Sequence, residues 1–337
     1  MPAHFGLDIG SYSIKAVQAK KKGGKWELLA AGETITPVDI NTSDPQARQK
    51  LVDTIKKLVT ESQINTKEVV VSLPETAVFS QVIELPSLSS QELATAIDFE
   101  AEQYIPIPIS EVELEYLVVE KPPKGSLQSK MKVLLVAARR TTIDSLIAIV
   151  GQAGLTPIVM ETEILALSRL VNSSQRNILI LNLGYRSTEL TISVANTIRF
   201  IRTLNIGGEA ISRNLAKNLE MEFLQAEQYK NAYGLDQAQL EGKVAREIAP
   251  ALNIVVTEVK KTLTFFQQQN PNNKVDLIVV TGGGSAMRDL STFLTSLLGL
   301  EVIVFDPFGN FIPSEKLKTI SQRQQFGVAV GLAIREV

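Results

Sequence analysis

The chain has 337 residues and a formal net charge of −2, with 45% hydrophobic and 21% charged residues. This length predicts about two domains of a globular protein, and the near-neutral charge gives no reason to expect nucleic acid or an anionic membrane as the main partner. The lack of cysteine excludes disulfides and thiolate metal sites, the single histidine nearly excludes histidine-based sites, and no apolar run reaches the roughly 18 residues of a membrane span, which favours a cytoplasmic protein.

A turn near the start carries groups that suit phosphate. Phe5 to Ile9 and Ile14 to Ala19 are apolar enough for buried strands, so the residues between them reverse the chain. The turn offers backbone N–H groups and hydroxyls, flanked by an acid and a cation: Asp8, Gly10, Ser11, Ser13 and Lys15. A phosphate tail with Mg²⁺ requires these groups. Ordinary hairpins contain the same residue types, so this turn alone is a weak signal.

The next segments predict the rest of a first domain and a subdomain of different composition. Pro45 to Glu61 has the apolar spacing of a helix, and Val69 to Leu73 reads as a buried strand. A helix then opens with a capping box at Ser89 to Glu92. Two strands follow, separated by a proline-containing linker at 121–126, and the helix Thr141 to Gln152 closes the subdomain.

Two acids stand where the chain returns to the first domain. Glu161 and Glu163 follow the short predicted strand Pro157 to Met160 and open a helix, where negative charge is favourable. A charged first turn explains both residues without any function. They are two positions apart, about 200° around a helix, so at most one of them can point inward.

The first turn has a second copy. Leu181 to Thr188 lies 174 residues after Leu7 to Ile14 without a gap, and it keeps the leucine, the glycine and a serine while Asn182 replaces Asp8. Self-similarity at a fixed offset predicts a duplicated structural unit. A third glycine loop at 281–285 follows an apolar strand and precedes a helical pattern.

These loops and one further segment carry a family resemblance. Two strand-turn-strand loops followed by a Gly-Gly-Gly loop resemble the phosphate and adenosine loops of the actin-like ATPase superfamily. The run Asp98 to Pro108 is similar to the Glu-Ala-Glu-Gln-Tyr-Ile-Pro-x-Pro segment of the type IV pilus assembly protein PilM family. The resemblance covers nearly the whole chain. It implies an α/β, actin-like (ribonuclease H-like), duplicated two-domain fold with an inserted subdomain 1C as in PilM and the cell-division protein FtsA.

The resemblance also implies domain boundaries. The expected units are the first-domain core, the insert, the second-domain core, its subdomain 2B and a terminal helix that packs back on the first domain: 1–78 with 151–175, 79–150, 176–221 with 271–325, 222–270, and 326–337.

ATP with Mg²⁺ is the implied ligand. Asp8 is expected to hold Mg²⁺ through waters, while Gly10, Ser11, Ser13 and Lys15 hold the β- and γ-phosphates. The opposing loop is formed by Gly184, Arg186, Ser187 and Thr188. The nucleoside is expected to contact Gly207, Gly208, Glu227, Lys230, Gly282, Gly283 and Gly284. Glu227 and Lys230 also have the i, i+3 spacing of a plain surface ion pair.

Hydrolysis is expected to be slow or absent. The second loop of actin-like ATPases opens with an aspartate, which helps to fix the metal's waters, and Asn182 is neutral at this position. By resemblance one acid before the following helix orders water or metal, and Glu163 is favoured over Glu161. The sequence therefore predicts a protein that binds ATP far better than it hydrolyses it. The alternative is that one of these glutamates has taken over the catalytic role.

A protein partner is implied as well. In the PilM family the insert helps to form the groove for the N-terminal cytoplasmic tail of the inner-membrane protein PilN, and here Glu100, Gln103, Tyr104 and Ile107 are the expected groove residues. A helix end made rigid by two prolines explains the same residues without a partner. The expected protein is peripheral at the inner membrane through its partner, without inserting itself or binding nucleic acid. A self-associating FtsA-like filament former and a small-molecule kinase of the same superfold are the alternatives.

Overall fold

The first sheet is built from segments at both ends of the first domain. The computed structural model describes residues 4–121, 130–171 and 175–337. The elements of the first domain are β1 (Phe5–Ile9), β2 (Ser13–Lys22), β3 (Lys25–Ile35), α1 (Pro45–Glu61), β4 (Glu68–Leu73), and, after an insert, α3 (Arg140–Gln152), β8 (Thr156–Thr162) and α4 (Glu163–Leu170). The strand order is β3-β2-β1-β4-β8; β1 and β2 are antiparallel, whereas β4 is parallel to both β1 and β8. Every residue of β1 is buried, as expected for a central strand covered on both faces.

The insert forms its own small layer. It contains β5 (Val78–Pro86), α2 (Ser90–Ala101), β6 (Val112–Glu120) and β7 (Lys130–Arg139). The sheet order is β5-β7-β6, all antiparallel, and α2 covers one face through Leu93, Ile97 and Ala101. The predicted capping box is present, with both hydrogen bonds between Ser89 and Glu92. Most of the predicted linker at 121–126 lies outside the described residues.

The helix that was expected to close the insert belongs elsewhere. Helix α3 (Arg140–Gln152) buries Leu146, Ile149 and Val150 against Leu51 and Ile55 of α1, in the core of the first domain. The expectation that the insert extends to residue 150 is therefore wrong at this end, and the insert sheet ends at Arg139. The helical period identified the apolar face of α3, but a period does not specify which sheet that face covers.

The second domain repeats the first. Its elements are β9 (Ile178–Leu183), β10 (Thr188–Val194), β11 (Thr197–Leu204), α5 (Gly208–Asn218), α6 (Phe223–Tyr233), α7 (Lys243–Gln269), β12 (Leu277–Thr281), α8 (Leu290–Leu298) and β13 (Glu301–Val304). The strand order β11-β10-β9-β12-β13 has the same antiparallel and parallel pairings as the first sheet. The predicted duplication and the actin-like α/β class are confirmed by this equivalence.

The chain crosses back to the first domain at its end. Strand β8 (Thr156–Thr162) and helix α4 (Glu163–Leu170) precede the second domain. Helices α9 (Glu315–Lys318) and α10 (Gly327–Ala333) follow it, and every residue of α10 is buried. A Cβ on Gly6 would lie 2.3 Å from the Ala329 carbonyl oxygen, and one on Gly331 would lie 2.2 Å from that of Ala166. Glycine at these positions lets α10 lie directly on β1 and α4. Among the described helices, none combines the length and the apolar character needed to cross a membrane.

Candidate functional site

A cleft opens where the turns of the two sheets meet. The loops β1–β2 and β9–β10 approach from opposite sides, and the loop after β12 closes one end. The predicted residues that line the cleft are Asp8, Gly10, Ser11, Ser13, Lys15, Glu163, Asn182, Gly184, Arg186, Ser187, Gly208, Glu227, Lys230, Gly282, Gly283 and Gly284. Duplication explains this convergence, because equivalent ends of two equivalent sheets face one another.

The first side of the cleft centres on Asp8 and Lys15. These residues stand opposite one another on β1 and β2, and both are buried. The Ser72 hydroxyl donates to Asp8 Oδ1 at 3.0 Å, and Lys15 Nζ donates to Ser13 Oγ at 2.6 Å. Burial raises the pKa of Asp8, while the positive charge of Lys15 and the Ser72 hydrogen bond act in the opposite direction. This side therefore combines a buried acid with a cation that a phosphate group can reach.

The opposite side holds an acid that the sequence analysis missed. Glu189 on β10 is 2% exposed and stands opposite Asn182 on β9. Asn182 Nδ2 donates to Glu189 Oε2 at 2.6 Å and to Glu163 Oε2 at 3.4 Å, and the Ser187 hydroxyl donates to Glu189 Oε1 at 2.5 Å. Burial raises the pKa of Glu189 to about 7 despite these hydrogen bonds. The 174-residue offset could have found it, because it is the counterpart of Lys15.

Glu227 and Lys230 form a buried pair at the far end of the cleft. Lys230 Nζ lies 2.8 Å from Glu227 Oε1 and donates to the Gly208 carbonyl at 3.1 Å. The Ser212 hydroxyl donates to Glu227 Oε2 at 2.5 Å. The alternative of a plain surface ion pair is wrong, since the two side chains are only 7% and 4% exposed. Burial lowers the pKa of Lys230.

The third loop is shaped by one glycine. Gly282 has a φ of +84°, and a Cβ there would lie 2.5 Å from Asn182 Oδ1. Both the backbone conformation and the close approach require glycine. The neighbouring Gly283 has no atoms within 4 Å of a Cβ position, so the loop leaves open space beside it. This loop therefore fixes one wall of the cleft against the second turn.

Three predicted residues lie outside the cleft lining. Thr188 is fully buried, and its hydroxyl donates to the Ile206 carbonyl at 2.6 Å. Gly207 caps α5 behind the second turn. Glu161 accepts two hydrogen bonds from Arg169, at 2.7 and 2.8 Å, and also pairs with Arg335. Glu161 is still on strand β8 and the helix starts only at Glu163, so Glu163 is the one of these two acids that lines the cleft.

Other lining residues were not predicted. Tyr12 and Tyr185 lie at the tips of the two opposing turns with ring centroids 4.9 Å apart. The rest come from elements distant in sequence: Asn231, Gln322, Gln325 and Val328. None of these last four positions belongs to a glycine turn, so only the assembled fold identifies them.

Two grooves border the insert, and the expected partner residues lie near the smaller of them. Glu100, Gln103, Tyr104 and Ile107 lie at or beyond the end of α2, and Tyr104 lines a groove between the insert and the second domain. A wider groove, with a cavity volume of about 770 Å³, separates the insert from the first domain. None of the four residues lines that wider groove.

The chain was compared with known proteins. A sequence model described as type IV pilus assembly protein PilM matches residues 6–337. The chain belongs to the PilM family. A chain solved as a PilM-PilN type IV pilus biogenesis complex is 28% identical, with a TM-score of 0.83 and 98% of each chain covered. The predicted family is confirmed.

Two further solved structures share the fold. The ethanolamine utilization protein EutJ from Carboxydothermus hydrogenoformans is 14% identical with a TM-score of 0.60, covering 98% of this chain and 88% of EutJ. MreB5 of Spiroplasma citri, solved bound to AMPPNP, is 14% identical with a TM-score of 0.52, covering 97% of this chain and 94% of MreB5. At these identities the likeness supports the actin-like fold alone.

Proposed function

We propose that this chain is an ATP-binding scaffold of type IV pilus assembly that holds the N-terminal cytoplasmic tail of a PilN-like inner-membrane protein. The nucleotide part is carried by one observation, the convergence of three glycine loops on a single cleft between two equivalent sheets. The partner part is supported by membership of the PilM family and by the likeness to the chain of the PilM-PilN complex. The protein would then act at the inner membrane through its partner.

The charges of the cleft suit a triphosphate. Lys15 and the turn around Gly10 would hold the β- and γ-phosphates, because an ammonium and backbone N–H groups form charge-assisted hydrogen bonds with them. Arg186 also lines the cleft, from the opposite turn. At the far end, the buried pair of Glu227 and Lys230 would meet the nucleoside, whose hydroxyls and ring nitrogens need polar partners.

Mg²⁺ fits the cleft as a hydrated ion. Among the residues that the structure describes, no three acidic or histidine side chains converge in a way that could hold a metal. Mg²⁺ usually keeps several waters and binds one or two carboxylates together with substrate phosphates. Asp8 would hold it through waters, and the ion would neutralise charge on the phosphates.

Thermal shift and calorimetry with ATP and AMP test nucleotide binding. Millimolar Mg-ATP should raise the melting temperature more than AMP does, because only ATP reaches both phosphate turns. Lys15→Ala should weaken ATP binding by roughly tenfold or more, since a hydrogen bond to a charged group contributes about 1.5–3 kcal/mol. The matched control is Lys25→Ala, at the exposed start of β3. Equal shifts with ATP and AMP would contradict a triphosphate site, and equal ATP binding by both variants would contradict the role of Lys15.

The wider groove has the construction of a peptide site. Strand β8 is the outer strand of the first sheet and β6 the outer strand of the insert sheet, so two strand edges border the groove. Leu117 and Ile147 line it while remaining 54% and 46% exposed. An extended tail could add to a strand edge through its backbone and place alternate apolar side chains in the groove. We therefore place the partner tail here rather than beside Tyr104.

Peptide binding by variants of the two grooves tests this placement. The probe is a fluorescent synthetic peptide with the N-terminal residues of the PilN-like protein from the same genome, measured by anisotropy. Leu117→Asp should reduce affinity at least tenfold, because a buried unpaired charge in the complex is costly. The control is Phe99→Asp, an equally apolar and 71% exposed position on α2 outside both grooves. If Tyr104→Ala abolishes binding while Leu117→Asp does not, the tail lies in the other groove.

A further inference from the structure

The two halves of the cleft carry their acids on different strands. In the first half Asp8 on β1 stands opposite Lys15 on β2. In the second half the equivalent positions are Asn182 on β9 and Glu189 on β10. The acid has therefore moved from the first strand of the pair to the second. Each of the two strand pairs keeps one buried carboxylate, although the first strand of the second pair has lost its own.

Glu189 uses both oxygens to hold two residues of the second turn. Asn182 Nδ2 donates to one oxygen at 2.6 Å and the Ser187 hydroxyl donates to the other at 2.5 Å. One amide N–H and the hydroxyl proton are thereby turned toward buried Glu189, and the amide nitrogen also donates to Glu163 Oε2 at 3.4 Å. Asn182 Oδ1 is left on the side of Gly282, and the Ser187 oxygen keeps its lone pairs for other partners. Both residues line the cleft.

The atoms that these two side chains present to the cleft are therefore acceptors. Phosphate oxygens are acceptors too, so they cannot bind these two side chains directly. The cation of this turn, Arg186, is engaged by Asp39 and lies 3.6 Å from Glu209. Water bound to Mg²⁺ is a strong donor, and it can join an acceptor surface to a phosphate.

We propose that Glu189 is a positioning residue that turns the side chains of Asn182 and Ser187 into acceptors for metal-bound water, so that the contact of these two side chains with a nucleotide depends on Mg²⁺. This inference rests on the proposed nucleotide binding. Glu189 acts through its two neighbours and does not itself line the cleft. The first half, with Lys15 facing the cleft, binds phosphate without requiring the ion.

The test is the ratio of the ATP dissociation constants in EDTA and in Mg²⁺, measured by calorimetry at pH 8. We expect a ratio above about 10 in the wild type and below about 3 in Glu189→Gln, with affinity in EDTA unchanged or tighter. The introduced amide can accept from only one of the two neighbours and must offer an N–H to the other. That neighbour then turns its own donor toward the cleft.

Two further variants keep the test decisive. Ser187→Ala removes one acceptor and keeps the Glu189 carboxyl group, although that group loses one hydrogen bond, and it should also lower the ratio. The double variant Asn182→Asp/Glu189→Gln returns the acid to β9 and should restore a ratio above about 10. Glu161→Gln is the matched control, a buried carboxylate outside the cleft, and it should keep the wild-type ratio.

The outcomes separate this inference from the proposed function. A wild-type ratio in both Glu189→Gln and Ser187→Ala overturns the role of Glu189, while ATP binding by the wild type still supports the proposed function. A folded double variant with a low ratio also overturns it. If the wild type binds no ATP in either condition, the proposed function fails and this inference fails with it.

Discussion

At the scale of single residues, the amide of Asn182 sets the expected rate of ATP hydrolysis. It places no negative charge at the position where actin-like ATPases hold an aspartate, and its nitrogen is held by Glu189 and Glu163. We expect single-turnover hydrolysis by the wild type to be about 10²-fold slower than by Asn182→Asp/Glu189→Gln, because a carboxylate facing the cleft stabilises the transition state. The single variant Asn182→Asp is less informative, since it places two carboxylates at hydrogen-bond distance.

Glu163→Gln is the comparison for this prediction. Glu163 lines the cleft on the helix that follows β8. If this variant abolishes hydrolysis and the double variant is no faster than the wild type, Glu163 is the group that orders water, and the charge at position 182 is irrelevant to the rate.

Glu189 also predicts a pH dependence of stability. Burial raises its pKa to about 7 in the folded chain, from about 4.5. A raised pKa contributes stability that is fully present below about pH 4.5 and is lost as the pH rises to about 7. Relative to Glu189→Gln, the wild type should therefore become less stable between pH 5 and pH 8, by on the order of 1 to 3 kcal/mol. Urea unfolding of the apo protein at both pH values measures this difference, and a constant difference would contradict it.

At the scale of elements, the loop between β12 and the following helical turn depends on Gly282. Gly282→Ala should destabilise the fold by about 2 to 4 kcal/mol and weaken ATP binding, because a strained φ is combined with a clash against Asn182. Gly299→Ala is the control, since its φ is +66° and nothing lies within 4 Å of a Cβ there. It should cost only about 1 kcal/mol and leave ATP binding unchanged. Equal losses of stability in the two variants would mean that only the strained φ, and not the clash with Asn182, destabilises Gly282→Ala.

At the scale of the whole molecule, the insert connects the wider groove, where we propose that the partner tail binds, to both domains. Leu134 of the insert, Ile164 of α4 and Ile198 of β11 form one apolar cluster. Because α4 begins at the cleft with Glu163, closure around ATP should shift this cluster and the groove together. We expect Mg-ATP to increase peptide affinity by about fivefold or more, and the peptide to increase ATP affinity by the same factor. Ile198→Ala should reduce both factors equally; unequal factors, or no effect of ATP, would contradict the coupling.

Local patterns in the sequence were enough to predict the structural units of this protein. The repeat at 174 residues predicted two equivalent strand pairs, and both are present with the same pairings. The capping box at Ser89 and Glu92 formed as predicted because it depends only on residues three positions apart. The first two glycine turns were predictable for the same reason, since a Cβ on Gly10 or Gly184 would lie 2.9 Å from the carbonyl oxygen three residues later.

Only the tertiary structure decided which units meet and where each acid points. Glu161 is paired with Arg335, 174 residues away, and α3 packs on the first domain rather than on the insert. The partners of Glu189 were decided when β10 was placed beside β9, because a strand residue gains its neighbours from the adjacent strand rather than from its own. The sequence by itself determined the duplicated loops and the family. The roles of the buried carboxylates were decided by packing, since burial and hydrogen-bond partners depend on contacts between segments far apart in the chain.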